Sequence, residues 1–140
     1  MSKAVWMATA AALLLAVASH VEAQSVKREP IKPLNSVNGS SSYRVYCAQC
    51  HGISGRGDGP VSKVLKVPPA DLTRISTRHG GQFPAAEVKR IIMGEDVVTA
   101  HGGREMPLWG PVFRSVEDPG VAELRVANLV TYLERLQEKK

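Results

Sequence analysis

The sequence predicts an all-α fold of three or more helices in a single small domain. Apolar residues recur at helical spacing in three segments, residues 40–51, 84–93 and 118–137. Residues 52–82, between the first two segments, are rich in glycine and proline, which is typical of loops. No segment shows a convincing strand pattern. At 140 residues the chain has room for one domain, which excludes a multidomain enzyme.

The amino terminus has the pattern of a cleaved secretory signal peptide, residues 1–23. Lys3 supplies the positive charge, Ala4 to Ala18 form the apolar run, and Val21-Glu22-Ala23 fits a signal peptidase site. A retained membrane anchor is the alternative, but the apolar run is shorter than the roughly 18 to 20 residues that cross a bilayer. We therefore expect a periplasmic protein with no membrane span after cleavage.

The next segment, residues 24–41, shows no hydrophobic periodicity. It contains Pro30 and Pro33 and ends in a run of serines. This composition indicates an extended amino-terminal segment that precedes a domain over residues 42–140.

The first predicted helix carries the only two cysteines of the chain, Cys47 and Cys50, followed directly by His51. Residues three apart lie on one face of a helix, so both thiols can reach the two vinyl groups on one edge of a haem. His51 is then close enough to bind the iron. The C-x-x-C-H pattern therefore predicts covalent attachment of one haem.

Two other uses of the cysteines are less well supported by the sequence. A redox-active dithiol is expected in a thioredoxin-like βαβ setting, which the chain lacks. A zinc site would need two further ligands, and His79 and His101 are too far apart for zinc-finger spacing. The chain has only two Trp, three Tyr and two Phe residues, which predicts a small hydrophobic core. A large apolar cofactor would complete such a core.

The second helix is predicted to begin near Pro84, because proline suits a first helical turn, and to end before Gly94. Its apolar face consists of Val88, Ile91 and Ile92. The last helix is predicted to begin at Asp118 and Pro119, a capping residue and a first-turn proline, and to continue to about Gln137.

Four residues could occupy the sixth position on the iron. Met106 has the best local chemistry, because the following Pro107 disfavours helical backbone angles and lets the thioether project from a loop. Met93 closes an apolar helical run and is expected in the core. His101 or an open position is the alternative, and His79 is expected to be a solvated loop residue.

These features together resemble the class I c-type cytochromes, over residues 38–138. Gly39 and Tyr43 stand before Cys47 as the small and aromatic residues of the first helix do in that family. Further matches are Leu129-x-x-Tyr132-Leu133 in the last helix, the Met106-Pro107 pair, and the loop sequences Ser54-Gly55-Arg56-Gly57-Asp58-Gly59-Pro60 and Pro68-Pro69-Ala70-Asp71-Leu72.

The resemblance implies a small all-α fold around one covalent haem c, with His51 and Met106 as axial ligands. It also implies that a proline carbonyl accepts a hydrogen bond from His51. Pro69 is the candidate, with Pro68 and Pro60 as alternatives.

Such a site predicts an electron carrier, not an enzyme, because two strong axial ligands leave no iron position for a substrate. The expected function is one-electron transfer between periplasmic or respiratory redox proteins. Two alternatives stay open: a dedicated haem c subunit of a periplasmic oxidoreductase, and a haem catalyst or gas sensor with a labile sixth ligand.

The net charge of +5 suggests a redox partner with an acidic docking surface. The candidate docking residues near the haem loops are Arg56, Lys63, Lys66 and Arg104. An evenly solvated charged surface is the alternative. Nucleic acid is a poor partner for this sequence, since basic and aromatic residues are not interleaved.

Overall fold

Every regular element of the described residues is helical, and the predicted all-α fold is confirmed. The structure, a computed structural model, describes residues 35–96 and 106–138. The chain divides into two units, Met1–Pro30 and Ile31–Lys140, and all the described residues belong to the second. The first unit, which contains the predicted signal peptide, lies outside the described residues. In chain order the elements are α1 (Gly39–Ser42), a π-helical turn (Tyr43–Cys47), α2 (Ala48–His51), 3-10 turns at Ser62–Val64 and Leu72–Arg74, α3 (Ile75–Arg78), α4 (Ala85–Met93), α5 (Trp109–Val116) and α6 (Pro119–Arg135).

Helix α1, the π-helical turn and α2 follow one another without a break over residues 39–51, and we call them together the first helix. It begins at Gly39, because Asn38 caps it. The Asn38 Oδ1 accepts hydrogen bonds from the backbone N–H groups of Ser40 and Ser41 at 3.0 and 3.2 Å. The end of the predicted extended segment, residues 24–41, is therefore helical. Its residues before 35 lie outside the described part of the chain.

The first helix packs across α6. A Cβ at Gly39 would overlap the carbonyl oxygen of Asn128, so only a glycine allows the two backbones to approach this closely. One turn further along, the rings of Tyr43 and Tyr132 lie 5.1 Å apart. This crossing fixes the helix that carries the cysteines.

Helix α4 has both predicted ends, and helix α6 begins where it was predicted to begin. Helix α4 stops at Gly94, which has a left-handed φ of 76°, and Pro84 is its amino-terminal cap. Helix α6 begins after Asp118, whose Oδ1 accepts from the N–H of Gly120 at 2.8 Å, and has Pro119 in its first turn. It ends at Arg135, slightly before the predicted Gln137.

Helix α5 is not apparent from the sequence, because Gly110 and Pro111 look like a helix break. The structure places both in its first turn, where backbone N–H groups have no partner within the helix and a proline costs nothing. Phe113 of this helix is fully buried.

The buried core is built from the first helix and from α4, α5 and α6, with one residue from α3. Tyr46 and Trp109 pack against it and form an aromatic group with the core residue Phe113, with ring centroids 5.0 to 5.5 Å apart. Among the described residues the buried apolar set is Tyr43, Ala48, Ile75, Val88, Ile92, Met93, Phe113, Ala122, Val126, Leu129, Val130 and Leu133. No helix within the described ranges combines the length and apolar composition needed to cross a membrane.

A buried cation joins three parts of this fold. Arg125 of α6 is 1% exposed, and its Nε and Nη2 donate to the two carboxylate oxygens of Glu117 at 2.6 and 2.8 Å. Its Nη1 donates to the Ser36 carbonyl at 2.7 Å and to the Ser42 Oγ at 2.9 Å. Arg125 thus links α6 to the first helix and to the segment that precedes it.

Substituting Arg125→Met tests this link. We expect the free energy of unfolding to fall by about 3 to 5 kcal/mol, because the buried Glu117 carboxylate loses its counter-charge. Arg114→Met removes an exposed arginine paired only weakly with Glu123, and should cost less than about 1 kcal/mol. Urea unfolding followed by circular dichroism measures both. Equal losses in the two variants would contradict a structural role for the buried pair.

Candidate haem-attachment site

Both cysteines lie at the end of the first helix. Cys47 closes the π-helical turn, and Cys50 lies in the α-helical turn that follows. Both are partly buried free thiols and form no disulfide. The α-helical turn places residues three apart on one side, which is the arrangement that two thioether bonds to one haem edge require. A π-helical turn often marks a functional position in a helix.

The electrostatics of Cys47 do not suit a redox-active dithiol. Burial, with a smaller contribution from Cys50, raises the pKa of Cys47 to about 12. Reactive dithiols have a lowered pKa, because the thiolate is the nucleophile. The Cys47 thiol of this fold therefore stays protonated near neutral pH.

His51 is oriented by a backbone carbonyl. Its Nδ1 lies 2.9 Å from the carbonyl oxygen of Ala70 and donates to it, which leaves the lone pair of Nε2 available for a metal. Burial lowers the pKa of His51, although the hydrogen bond to Ala70 acts in the opposite direction. The imidazole is therefore neutral near pH 7, the form that binds iron.

The predicted acceptor for His51 was wrong by one residue. The carbonyl of Ala70 accepts the hydrogen bond, and not that of Pro69 or of its alternatives Pro68 and Pro60. The Pro69 carbonyl instead lies against Gly57, where a Cβ would overlap it. The residues that follow Ala70 explain why its carbonyl is the acceptor.

Asp71 fixes the backbone directly after this carbonyl. Its Oδ1 accepts from the backbone N–H and the Oγ1 of Thr73 at 2.9 and 2.6 Å, and so caps the 3-10 turn Leu72–Arg74. The N–H of Leu72 donates to the carbonyl of Gly55 at 2.7 Å. The sequence Asp71-Leu72-Thr73 has the spacing of a cap and is the signal that could have located the acceptor.

The glycine-rich loop after His51 satisfies the end of α2. The N–H groups of Gly57, Gly59 and Val61 donate to the carbonyls of His51, Cys50 and Gln49 at 2.8, 3.1 and 3.0 Å. The last carbonyls of a helix have no partner within it, so this loop replaces the missing turn. The predicted loop is thus part of the site and holds the C-x-x-C-H turn in place.

Tyr43 supports the same turn from inside the core. Its hydroxyl donates to the carbonyl of Gly52 at 2.7 Å, and burial raises the pKa of the phenol. The aromatic residue four positions before Cys47 therefore also anchors the backbone directly after His51.

The candidate sixth ligands differ in their surroundings. The Met106 side chain is 37% exposed, while Met93 is 4% exposed and belongs to the core as predicted. His79 lies on the surface, with Nδ1 2.9 Å from the Ile75 carbonyl and Nε2 3.4 Å from the Glu87 carboxylate. His101 lies outside the described residues.

These donors fit a covalent haem c. Two free thiols on one helical turn, followed by a neutral and oriented imidazole, supply the attachment and one axial ligand. Within the described ranges, no three or more His, Cys, Asp and Glu side chains form a group that could hold a metal ion by themselves.

One family model, described as Cytochrome c, matches the chain over residues 36–137. This range includes the cysteines, His51, the glycine-rich loop and all the described helices. Neither a curated protein nor a solved structure matches the chain.

The cap at Asp71 allows a test of how the His51 acceptor is held. We expect Asp71→Ala to lower the free energy of unfolding by about 1 kcal/mol, because it removes both hydrogen bonds from Thr73. Asp71→Asn keeps an acceptor at the same position and should retain most of this stability. Equal losses in urea unfolding would show that capping is not the role of Asp71.

The stability that Asp71 contributes should also depend on pH. Burial alone would raise the pKa of Asp71, but the hydrogen bonds from Thr73 and the nearby charges of Arg56 and Arg74 together outweigh it, so the pKa lies below its ordinary value. A carboxylate with a lowered pKa stabilises the fold above its unfolded pKa of about 3.9, and that stabilisation is lost as the pH falls through the lower folded value. The difference in free energy of unfolding between wild type and Asp71→Ala, measured by urea unfolding, should therefore become smaller as the pH falls through this range.

Proposed function

Because the chain belongs to the cytochrome c family, we propose that it is an exported electron carrier whose haem iron is held between His51 and Met106. Family membership makes it a haem c electron-transfer protein, with Cys47 and Cys50 at the attachment positions. The observation that carries the proposal is the contact of His51 Nδ1 with the Ala70 carbonyl, which leaves Nε2 available to hold the iron.

The bound haem supplies an iron that exchanges one electron between Fe(III) and Fe(II). The chain's contribution is to hold that iron in one geometry. Cys47 and Cys50 prevent loss of the cofactor, and the Ala70 carbonyl keeps the His51 ring in one orientation. Since neither the cysteine attachments nor the His51 ring needs to move when the charge of the iron changes, the reorganisation that accompanies electron transfer is small.

Met106 is the proposed second axial ligand. Its side chain is partly exposed and is not packed into the core, in contrast to Met93. A thioether is a soft ligand that favours reduced iron, so this ligation raises the reduction potential. With both axial positions filled, the protein has no coordination site for a substrate.

The amino-terminal signal pattern supports export and a periplasmic location. We infer that the protein accepts electrons from a dehydrogenase or respiratory complex and passes them to a terminal oxidase or reductase. A carrier of this kind binds its partners transiently. Co-purification with one partner at fixed stoichiometry would instead favour the dedicated subunit of an oxidoreductase.

The docking surface for an acidic partner is proposed around Lys63 and Lys66. Both are exposed, and neither forms an ion pair within the described part of the chain. Val64 between them is 81% exposed, which provides an apolar contact surrounded by positive charge. Arg56 is paired with Glu138 at 3.0 Å and contributes less, and Arg104 lies outside the described residues.

Replacing the proposed ligand tests the function directly. The oxidised wild-type protein should show a sulfur-to-iron charge-transfer band, and the reduced protein should bind little carbon monoxide. Met106→Ala should lose the band and bind carbon monoxide readily, because the sixth position is then free.

Met93→Leu is the matched control. It replaces the other methionine of the domain with a residue of similar volume, at a cost below about 1.5 kcal/mol, and should keep the band. Ready binding of carbon monoxide by the reduced wild type would overturn Met106 as ligand and favour a catalyst or sensor.

Charge reversal tests the docking surface. Lys63→Glu with Lys66→Glu should slow oxidation of the reduced protein by ferricyanide, an anion, by roughly tenfold at low ionic strength. The effect should largely disappear in high salt, because exposed charges are screened. Stopped-flow absorbance at several salt concentrations measures both.

The control for this experiment changes the net charge by the same amount elsewhere. Lys89→Glu with Arg114→Glu reverses two exposed cations that lie within 4.0 Å of Glu123, one on α4 and one on α5. If both double variants slow the reaction equally, net charge controls the rate and the proposed surface is wrong.

A further inference from the structure

Helices α4 and α5 meet through a glycine. Gly110, in the first turn of α5, is buried, and a Cβ at this position would lie 2.5 Å from the carbonyl oxygen of Met93 and 3.0 and 3.1 Å from its Cα and carbonyl carbon. All three are backbone atoms at the end of α4. No side-chain rotation can therefore make room for a larger residue.

A second close contact lies beside the first. Leu108, the residue before α5, packs on Gly94, the residue that ends α4. A Cβ at Gly94 would lie 2.8 Å from the Leu108 Cδ2 and 3.0 Å from its Cβ. We call Met93, Gly94, Leu108 and Gly110 the neck, because these four residues join the end of α4 to the start of α5.

The neck lies directly beside the proposed iron ligand in the chain. Met106 is separated from Leu108 only by Pro107, whose ring fixes its own φ and restricts the backbone of Met106. Few rotatable bonds therefore lie between Leu108 and the Met106 side chain. A shift of the start of α5 relative to α4 is passed on to Met106.

We propose that the neck positions Met106 for iron ligation, with Gly110 and Leu108 as positioning residues. This inference rests on the proposed function, in which Met106 is the ligand. The neck fixes one end of the Met106 arm to α4, and the tight approach at Gly110 sets how far Met106 extends.

The contact distances indicate how sensitive this arrangement is. Ordinary van der Waals contacts of a Cβ begin at 3.4 Å, so an alanine at Gly110 would have to part the two backbones by about 1 Å. A ligand constellation must be held to within about 0.5 Å of its productive geometry. The expected displacement exceeds that tolerance.

The first experiment compares Gly110→Ala with Gly39→Ala in the haem-loaded protein. Gly110→Ala should lose the sulfur-to-iron band and increase the affinity of the reduced protein for carbon monoxide by roughly tenfold or more, since a displacement of about 1 Å has effects of this size at a catalytic site. Gly39→Ala creates a backbone contact that is even more crowded, against Asn128 of α6. It should lower the unfolding midpoint and keep the band.

A second pair of variants covers the case in which Gly110→Ala does not fold. Leu108→Ala removes the packing on Gly94 without adding atoms, and should increase carbon monoxide affinity by a smaller factor. Leu124→Ala makes the same substitution at a leucine of α6 with similar exposure, 51% against 45% for Leu108. It should leave the affinity at the wild-type value.

The outcomes separate this inference from the proposed function. If Met106→Ala removes the band but Gly110→Ala and Leu108→Ala behave like wild type, the neck has no positioning role. If the controls Gly39→Ala and Leu124→Ala gain as much carbon monoxide affinity as Gly110→Ala and Leu108→Ala, ligation responds to a general loss of stability. The inference is then also wrong. If Met106→Ala keeps the band, the ligand assignment fails, and the role of the neck fails with it.

Discussion

The hydrogen bond from His51 to the carbonyl of Ala70 joins the two halves of the haem-attachment site. On one side, the first helix presents two cysteines and the imidazole; on the other, the glycine-rich loop returns to that helix and supplies acceptors and donors to its last turn. Because the loop takes the place of a missing helical turn, the helix end and the loop define each other's position. The same contact leaves Nε2 available for the iron, while burial keeps the ring neutral, so the fold around His51 also sets its chemistry.

The helix that carries this site is held by contacts of two kinds. Close backbone approach at Gly39 and ring packing at Tyr43 fix it across α6, where apolar burial supplies the free energy. The buried Arg125 adds directed hydrogen bonds to Ser42 and to the carbonyl of Ser36. Buried ion pairs are weak evidence for net stability, but their fixed geometry specifies one arrangement of the elements around them. The segment before the first helix is thereby held on α6.

Local signals made much of this predictable from the sequence. The spacing of Cys47, Cys50 and His51 gives the attachment chemistry, and Gly94 and Asp118 mark helix ends because capping depends on a few neighbouring residues. The remaining features depend on the local register or on distant partners. The acceptor is Ala70 because the cap at Asp71 fixes the backbone directly after it. The resemblance instead led to the prediction of a proline carbonyl.

Two further features were hidden for physical reasons. Helix α5 contains a glycine and a proline that are unfavourable inside a helix but acceptable in its first turn, so its existence depends on where it begins. The burial of Arg125 depends on Glu117 and on Ser36, and an arginine is ordinarily expected at the surface. Pairing of this kind is decided by tertiary structure and leaves no periodic trace in the sequence.

The π-helical turn at Tyr43–Cys47 has a consequence for how the chain length of this region can vary. Such a turn closes its hydrogen bond over one more residue than an α-helical turn, so the additional residue is absorbed locally and the helix on either side keeps its phase. Loss of Arg44 or Val45, the two exposed residues of this turn, would yield a continuous α-helix with Gly39 still against α6 and the cysteines still facing the same way. Gain of a residue would rotate the cysteines by about 100° relative to that crossing, since each residue of an α-helix turns by this angle. The first helix therefore tolerates shortening by one residue but not lengthening.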